Sequence, residues 1–354
     1  MRILAMSQII LWHFTGWGTS WRLSTDYIND VTFSNGYILN SLLYSLLTTV
    51  GSLGVDSFVL ISGYFLCASS ILRFDKLLDI WLQTLFYSVG LATIFFFTTS
   101  DVTIIDLVKS ALPIVTTQYW FVTKYVGLLV LAPFLAKLSM SLPKKSFEVL
   151  LVVMFFLTCS IIQFFPLGIA YTNGRGSYSL LLFVYLFLIA AYIRKYDISS
   201  HISRWMGLVS FVLVMVQAIG GVLISLKDQH NVISSGFSVS NNALTMFSSI
   251  AVFIYVKSKN INNRKLIGGL TKVAPNIFGV YLIHDNAYVR TLLWRDIISP
   301  AKYWGSPVYL LLAMCVPFVI LAVCISIDYL RSYLFKMLRI YRISEYLLKR
   351  NIEI

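Results

Sequence analysis

The sequence predicts an all-α fold, a polytopic integral membrane helix bundle of about ten transmembrane helices. Of the 354 residues, 58% are hydrophobic and 12% are charged, whereas a soluble domain has about 25% charged and 45–50% apolar residues. The apolar residues also fall into runs close to the ~20 residues that a helix needs to cross a bilayer. Composition and patterning together exclude a soluble enzyme, a disordered chain and a secreted disulfide scaffold.

Ten apolar segments are candidate spans, and polar loops separate them. They cover residues 2–14, 54–68, 77–98, 119–138, 147–165, 178–193, 205–225, 242–256, 277–294 and 307–330. The further apolar stretch 37–50 is interpreted as a helix that lies against the bundle or dips into it. The first segment has about 13 apolar residues, fewer than the ~17 that cross a bilayer. It is therefore either tilted and buried by its neighbours or begins upstream of residue 1.

Basic residues set the predicted orientation, because Lys and Arg accumulate in cytoplasmic loops. With ten spans and a cytoplasmic N-terminus, 20 of the 28 basic residues lie on the cytoplasmic side and eight on the other. Both termini are then cytoplasmic. This topology explains the net charge of +13, so no nucleic-acid partner is expected. The four cysteines lie within apolar runs and form no ligand spacing with histidine, so neither a disulfide nor a metal site is expected.

The segment after the last span, residues 331–354, is separated here from a transmembrane domain of residues 1–330. Basic and apolar side chains alternate along it: Arg331, Lys336, Arg339 and Arg342 are interleaved with Leu334, Leu338, Tyr341 and Leu347. This pattern is typical of a basic amphipathic helix on the anionic cytoplasmic leaflet. A plain stop-transfer tail accounts for the same residues, and the sequence leaves both interpretations open.

Two ionisable residues of the first span need an explanation, because a charge within a membrane helix costs at least about 2.5–3.5 kcal/mol. Arg2 and His13 are 11 positions apart. That spacing is three turns plus about 20°, so the two side chains share one helix face about 16 Å apart. An arginine can hold a phosphate or carboxylate there, and a deeper histidine can take a proton from a hydroxyl. The alternative is a snorkelling anchor and a histidine that bonds a neighbouring helix.

Polar and aromatic residues of later spans are candidates for a substrate pocket. Asp56 lies near the outer end of the second span, where it either orients an imidazole or anchors the helix end. The other candidates are Ser62, Tyr64, Trp120, Tyr125 and His284. Taken singly, each is more often structural, since aromatic belts at membrane interfaces are routine.

Four motifs in the same order resemble the acyltransferase-3 family. They are Arg2-x10-His13, Phe58-x-x-x-Ser62-Gly63-Tyr64, Trp120-Phe121-x-x-x-Tyr125 before a proline, and Tyr281-Leu282-Ile283-His284. The resemblance covers nearly the whole chain. It implies a ten-helix enzyme of the bacterial inner membrane, an acyltransferase that transfers groups other than aminoacyl groups, usually acetyl, to surface sugars.

By that resemblance, Arg2 and His13 are the essential pair, and His13 is the catalytic residue. Acetyl-coenzyme A is the implied donor, which enters from the cytoplasm with its phosphates held by Arg73, Lys76 and Arg2. The family has Arg-x-x-Arg in this loop. Here Arg73-Phe-Asp-Lys76 keeps the charge but loses a bidentate group at the second position.

The same resemblance implies two routes for the acyl group. His13 either deprotonates the acceptor hydroxyl or is acetylated first and passes the group on. Asp56 or His284 would orient it. The implied acceptor is a surface or lipid-linked glycan, such as an O-antigen, capsule or exopolysaccharide unit, that arrives from the opposite membrane face.

Two rival functions also belong to multi-pass membrane proteins. A polysaccharide polymerase is expected to have a large, arginine-rich extracytoplasmic loop, whereas no outer loop here exceeds about 25 residues. A sugar or lipid transporter is expected to have interrupted helices in two matched halves, and no such symmetry is visible. Neither rival explains the spacing of Arg2 and His13.

Overall fold

The computed structural model describes residues 1–20, 37–99, 102–159, 178–197, 200–227, 242–260, 262–340, 343, 346 and 351–353. This part of the chain is almost entirely helical, which confirms the predicted all-α class. Its α-helices are α1 Arg2–His13, α2 Tyr37–Leu66, α3 Phe74–Thr98, α4 Ile104–Ser110, α5 Trp120–Ser141, α6 Lys144–Thr158, α7 Leu180–Tyr196, α8 Ser200–Lys227, α9 Ala243–Lys257, α10 Arg264–Val273, α11 Ile277–His284, α12 Ala287–Thr291 and α13 Pro307–Met337. Shorter elements are the π-helical segments Phe14–Ser20 and Leu292–Ile297, the 3-10 turns Ala274–Asn276 and Pro300–Tyr303, and the strands β1 Ile71–Leu72 and β2 Ile352–Glu353.

Six of the described helical segments are long and apolar enough to cross a membrane. They are Leu39–Leu66, Phe74–Thr98, Trp120–Ser141, Ile202–Leu223, Arg264–His284 and Pro307–Met337. The helix Ala243–Lys257 is apolar but shorter. The chain is therefore a multi-pass membrane protein. The count of ten spans and the cytoplasmic placement of both termini stay predictions.

The stretch 37–50 is not a separate helix beside the bundle, as the sequence suggested. It continues without a break into the second predicted span as α2, which is 30 residues long. Gly51 and Gly54 lie where the break was expected, and both face α1. A Cβ on Gly51 would stand 2.6 Å from the backbone nitrogen of Trp12, and one on Gly54 would stand 2.6 Å from the carbonyl oxygen of Ala5. These glycines permit close packing of two membrane helices rather than ending one.

The first span is longer than its apolar run. α1 has 12 residues, and the π-helical segment Phe14–Ser20 continues it by seven. The helical stretch of 19 residues lies within the range that crosses a bilayer. The hydroxyls of Thr15 and Thr19 donate to the carbonyl oxygens of Trp12 and Phe14 at 3.0 and 3.1 Å. These bonds give the two carbonyl oxygens a hydrogen-bond partner, and a carbonyl oxygen without one is costly inside a membrane.

The predicted span 277–294 is interrupted. α11 ends at His284, and α12 begins after Asn286, whose side-chain oxygen accepts the backbone N–H of Tyr288 at 3.1 Å. At its other end, α11 is joined to α10 by a 3-10 turn that contains Pro275, and a proline has no N–H for a helical bond. The segment long enough to span is therefore Arg264–His284, because polar residues that favour helix ends interrupt the apolar run after residue 284.

Basic side chains gather where Arg2 lies, at what we call the Arg2 end of the bundle. The amino end of α1 meets the carboxyl end of α2 there, since Arg2 and Tyr64 line one cavity. Arg194 of α7 donates to the carbonyl oxygen of Tyr64 at 2.7 Å, and Nζ of Lys257 lies 5.4 Å from the Tyr64 ring centroid. Lys195 donates to three carbonyl oxygens at the end of α5, at 2.7 to 3.0 Å. Assignment of this basic end to the cytoplasm stays a prediction.

The segment 331–354 does not begin as a separate element, because α13 runs without a break to Met337. Farther along, β2 pairs antiparallel with β1. Asn351 accepts the backbone N–H of Phe74 at 2.9 Å and so satisfies a free group at the start of α3. Most of residues 341–350 lie outside the described residues. The amphipathic helix and the domain boundary at residue 330 therefore stay predictions.

Replacing Gly51 by alanine is expected to lower the thermal stability of the protein, because the methyl group would push the backbone of Trp12 away from α2. Overpacking of this kind costs about 1–3 kcal/mol. The matched control is Gly90→Ala on α3. A Cβ at that position meets nothing within 4 Å, and alanine favours a helix over glycine by up to about 1 kcal/mol.

Unfolding temperatures of the purified protein, followed by tryptophan fluorescence, check this pair. Gly51→Ala is expected to unfold below the wild type and Gly90→Ala at or above it. Equal temperatures for the two variants would contradict the packing that we assign to α1 and α2.

Candidate active site

One face of α1 carries both ionisable residues that the sequence singled out. Arg2, Met6, Ile9 and His13 follow at positions i, i+4, i+7 and i+11, and therefore lie on one side of the helix. Arg2 lines an open cavity at the Arg2 end. Met6, Ile9 and His13 line a narrower cavity deeper along the helix. The face that the 11-residue spacing predicted is thus the face that lines both cavities.

The open cavity, which we call the Arg2 cavity, has a volume of about 570 Å³. Its walls come from the amino end of α1, the carboxyl ends of α2 and α9, and α10 with the turn after it. Arg2 and Lys257 supply its positive charge, and Lys257 also pairs with Asp197 at 2.9 Å. Tyr64 and Phe253 add aromatic surface. The cavity therefore combines cationic and apolar surface, which suits an amphiphilic anion.

The narrow cavity has a free volume of about 10 Å³, about what one water molecule needs. Its wall contains two polar side chains, those of His13 and Tyr281, beside the indole of Trp120. The remaining wall is apolar: Met6, Ile9, Val55, Phe58, Phe121 and Phe278. The hydroxyl of Tyr281 lies beside the Asp285 side chain but forms no short hydrogen bond among the described residues. Two groups able to exchange or donate a proton thus share a small apolar space.

His13 lies buried against a second histidine, His284 of α11. Nδ1 of His13 is 3.0 Å from Nε2 of His284. Nδ1 of His284 is 2.6 Å from the carbonyl oxygen of Val280, which can only accept, so this nitrogen carries the hydrogen. Nε2 of a neutral His284 then accepts, and Nδ1 of His13 donates. Nε2 of a neutral His13 keeps its lone pair, which is the form that a general base requires.

The free nitrogen of His13 faces a carboxylate. Nε2 of His13 is 3.7 Å from Oδ1 of Asp285. Arg290 donates from Nε to the same oxygen at 3.1 Å and from Nη2 to the Asp285 carbonyl oxygen at 2.9 Å. Asp285 can therefore stabilise a positive charge on His13, and Arg290 fixes its orientation. Across the described ranges, no group of three or more His, Cys, Asp or Glu residues is arranged to hold a metal ion.

The contacts of Arg290 lead from the buried histidines toward the surface away from the Arg2 end. Its guanidinium lies 4.2 Å from the ring centroid of Trp17, four residues beyond His13 along the first span. The side chain of Arg290 is 21% exposed and Trp17 is 39% exposed. His13 therefore lies between a cationic cavity on one side and a partly exposed Arg–Trp pair on the other.

The helix break after α11 positions His284 and Asp285. The carbonyl oxygen of Leu282, freed by the break, accepts from the hydroxyl of Tyr119 at 3.0 Å. Nδ2 of Asn286 donates to the same tyrosine oxygen at 2.8 Å. Without such bonds, the backbone groups at the break would cost several kcal/mol each inside a membrane. The buried tyrosine therefore makes a stable interruption possible at this depth.

Several predicted pocket residues lie at or beside the two cavities. Trp120 lines the narrow cavity, Tyr64 lines the Arg2 cavity, and His284 contacts His13. Ser62 and Tyr125 lie outside both linings, where their hydroxyl oxygens are 3.1 Å apart. They join α2 to α5 behind the cavity wall.

The structure does not bring Asp56 to His13. Asp56 is fully buried on α2, and its Oδ2 accepts from Ser249 of α9 at 3.4 Å. Its Oδ1 has no partner among the described residues. Gly54 faces α1, and two further residues turn a helix by about 200°, so Asp56 points to the opposite side. The carboxylate beside His13 is that of Asp285.

The two basic residues predicted to hold phosphates lie outside the linings of both cavities. Arg73 binds Asp75 through two nitrogens, at 3.2 and 2.7 Å, and Nζ of Lys76 is 3.3 Å from Asp79. Asn351 also donates to Asp75 at 3.0 Å. Both cations are about half exposed. Their role in cofactor binding stays a prediction. A donor phosphate would either replace Asp75 and Asp79 as the partner of these cations or bind beside those carboxylates.

Sequence reasoning missed Asp285, Arg290 and Tyr281 as site residues. Two signals were present for the first two. Both are ionisable residues within the predicted span 277–294, and each such residue needs a reason. The adjacent Asp285 and Asn286 also favour a helix end. Tyr281 belongs to the motif Tyr281-Leu282-Ile283-His284, but its place in the narrow cavity beside His13 follows only from the packed bundle.

Fold and site together define a polytopic helical membrane protein with a buried histidine pair at the inner end of a cationic helix face. A family model described as an acyltransferase domain, that of the acyltransferase-3 family, matches residues 1–327. The chain therefore belongs to the acyltransferase-3 family and is a membrane-embedded acyltransferase. No curated protein and no solved structure matches it.

Replacing His284 by alanine is expected to lower kcat for acyl transfer about 100-fold, because His13 loses the group that fixes its tautomer and orientation. A misplacement of about 1 Å at a reacting group has an effect of this size. The donor KM is expected to change little. His284→Gln keeps an acceptor oxygen within reach and is expected to recover part of the rate.

Steady-state kinetics of the two variants, at equal amounts of folded protein, separate positioning from bulk stability. A wild-type rate in His284→Ala, or equal rates in the alanine and glutamine variants, would remove the positioning role.

Proposed function

We propose that the protein is an O-acetyltransferase of the bacterial inner membrane. It transfers acetyl from acetyl-coenzyme A to a hydroxyl of a cell-surface polysaccharide, such as O-antigen, capsule or exopolysaccharide. The observation that carries the proposal is the chain of contacts from His13 through His284 to the Val280 carbonyl oxygen, which leaves Nε2 of a neutral His13 unprotonated. His13 lies on the same helix face as Arg2, which lines an open cavity. Acyl transfer from a coenzyme A thioester requires a base for the acceptor hydroxyl and a cation for the donor phosphates. His13 and Arg2 provide these two groups on one helix face.

The donor enters from the Arg2 end, which we place in the cytoplasm. Its phosphates bind Arg2 and Lys257 at the wall of the Arg2 cavity. The thioester arm is directed along the apolar face of α1 past Met6 and Ile9 toward His13, about 16 Å from Arg2 along the axis. The narrow cavity has room for about one water molecule in this structure, so donor binding has to widen it. The donor's charge thus stays at the membrane surface, and its acyl end reaches the base.

The transfer step is an attack by the acceptor hydroxyl on the thioester carbonyl carbon. As the new carbon–oxygen bond forms, Nε2 of His13 takes the hydroxyl proton, and the carbon–sulfur bond then breaks. The thiolate takes that proton back from His13, so the enzyme returns to its starting state with no further reactant. The Asp285 carboxylate, 3.7 Å from Nε2, stabilises the imidazolium that exists in between.

The negative charge that develops on the thioester carbonyl oxygen needs a hydrogen-bond donor. We assign this role to Tyr281. It lines the narrow cavity with His13, it is 3% exposed, and its hydroxyl lies beside the Asp285 side chain without forming a short hydrogen bond among the described residues. A buried hydroxyl in this position is available to donate to a substrate oxygen in the same cavity.

The acceptor approaches from the side of Arg290 and Trp17. Both side chains are partly exposed and stack on each other, while Arg290 contacts the Asp285 that faces His13. An aromatic ring beside a cation is a surface on which a sugar ring can lie and donate or accept hydrogen bonds. The acceptor hydroxyl would then reach Nε2 without crossing the membrane.

The test uses membranes that contain the protein, acetyl-coenzyme A labelled in the acetyl group, and the cell-surface polysaccharide of the host. The wild type is expected to transfer label into base-labile esters. His13→Ala, at equal protein level, is expected to reduce transfer by a factor of about 10²–10⁴, the contribution of a positioned general base. Equal labelling by both would remove His13 from the chemistry. Label found in lipid, or released as free acetate by hydrolysis, instead of in polysaccharide would refute the proposed acceptor.

Neutralising Arg2 with glutamine is expected to raise the donor KM roughly 10-fold or more, because a charge-assisted hydrogen bond contributes about 1.5–3 kcal/mol. The comparison variant is Arg73→Gln at the same end. Arg73 is predicted from the sequence to hold a donor phosphate, but in the structure its side chain is paired with Asp75. This variant therefore tests whether Arg73 also binds the donor. A donor KM raised by Arg73→Gln but not by Arg2→Gln would move the donor site from the Arg2 cavity to the loop 71–76.

A further inference from the structure

The helix α10, Arg264–Val273, is strongly amphipathic. At about 100° per residue, its basic residues fall within an arc of about 100° and its large apolar residues within an arc of about 120° on the other side. The basic residues are Arg264, Lys265 and Lys272, and the apolar ones are Leu266, Ile267, Leu270 and Val273. The side chain of Asn263 accepts the backbone N–H groups of Lys265 and Leu266 at 3.1 Å, so the helix has a defined start.

The part of the chain that the structure describes leaves the side chains of this helix exposed. None of its ten residues is buried, and Leu266 and Ile267 are 49% and 43% exposed. Its three cations form no ion pair with any described residue. An amphipathic helix with an uncovered apolar side and an unpaired basic side lacks a partner that is both apolar and anionic, which is the chemistry of a phospholipid headgroup region.

Burial separates α10 from the helix that follows it. The segment Arg264–His284 is long and apolar enough as a whole to span a membrane, but most residues of α11 are buried and none of α10 is. The 3-10 turn that contains Pro275 therefore marks the boundary between an exposed amphipathic helix and a buried apolar one. The helix adjoins the Arg2 end, where Leu270, Thr271 and Ala274 form part of the same cavity wall as Arg2. Basic residues are enriched at this end, as at a membrane face rich in anionic lipid.

We infer that α10 lies in the headgroup layer at the Arg2 end and binds anionic phospholipids through Arg264, Lys265 and Lys272. Leu266 and Ile267 enter the acyl boundary. Because Leu270 and Thr271 belong to the wall of the Arg2 cavity, the lipid-bound helix holds that wall in place. Lipid charge therefore controls access of the donor to the cavity, a consequence that rests on the proposed function. The placement of the helix does not depend on it.

The placement is tested with a fluorophore sensitive to polarity, attached to single cysteines in full-length protein in lipid nanodiscs. The background is Cys315→Ser, because Cys315 is exposed and Cys67, Cys159 and Cys324 are buried. One label is at Leu266→Cys on the apolar side. The matched label is at Gly268→Cys, about 160° around the helix, where a Cβ meets nothing within 4 Å.

Discs of zwitterionic lipid are compared with discs that contain phosphatidylglycerol. The label at 266 is expected to shift its emission to shorter wavelength as the anionic fraction rises, and the label at 268 to stay water-exposed. The double variant Arg264→Gln/Lys265→Gln is expected to weaken this dependence. Lys144→Gln/Lys145→Gln, two exposed cations at the start of α6, is the control and is expected to leave it unchanged. Equal exposure of both labels, or insertion independent of lipid charge, would overturn the inference.

Kinetics in the same discs distinguish bound lipid from bound donor phosphate. The donor KM of the wild type is expected to fall with the anionic fraction, and that of Arg264→Gln/Lys265→Gln to respond less. Equal donor KM values for the two proteins in purely zwitterionic discs are expected. A raised KM for the double variant there would mean that these cations bind the donor itself, and would refute the lipid role. The fluorescence experiment tests the placement of α10 independently of the proposed function, because it requires no acetyl transfer.

Discussion

The hydrogen bond between His13 and His284 is the contact on which the arrangement of the bundle depends. Inside a membrane, an N–H group without an acceptor costs several kcal/mol, so the N–H of each buried histidine needs a defined acceptor. His284 binds His13 through one nitrogen and Val280 through the other. His13 can meet it only if α1 packs tightly into the bundle, which Gly51 and Gly54 allow by admitting the backbone of α1 against α2. The contact between the two histidines therefore depends on the close packing of α1 against α2.

The partner helix α11 is short, and polar contacts hold it where a longer apolar helix would rely on packing. At its carboxyl end, Tyr119 bonds both sides of the break. Near its start, Gly279 has no side chain and lets Asp328 of α13 approach its backbone. Asp328 is fully buried, pairs with Arg331 at 2.9 Å and accepts from Tyr87 of α3 at 2.8 Å. Charged groups that would be costly alone thus fix the segment that carries His284.

The sequence predicted those features that depend on local periodicity. The helical class, the position of most apolar segments and the shared face of Arg2 and His13 follow from spacing along one helix. It named Asp56 and not Asp285 as the carboxylate for His13, because the direction of each helix face is decided by packing between helices and not by spacing along one of them. The continuity of α2 was missed for a related reason. Glycines such as Gly51 weaken helices in water but serve close packing in a membrane.

The site has a cation on each side of the histidine pair. In the proposed reaction, each substrate therefore has its own cationic binding group. Arg2 lies at an open cavity at one end, and Arg290 lies partly exposed toward the other. In the proposed reaction, the charged part of the donor stays with Arg2, and the polar acceptor stays with Arg290. Because His13 lies between them, the uncharged thioester arm with its acetyl group is the part of the donor that enters the apolar interior. An uncharged arm enters such an interior at lower cost than a phosphate. A separate transport step for coenzyme A is therefore unnecessary.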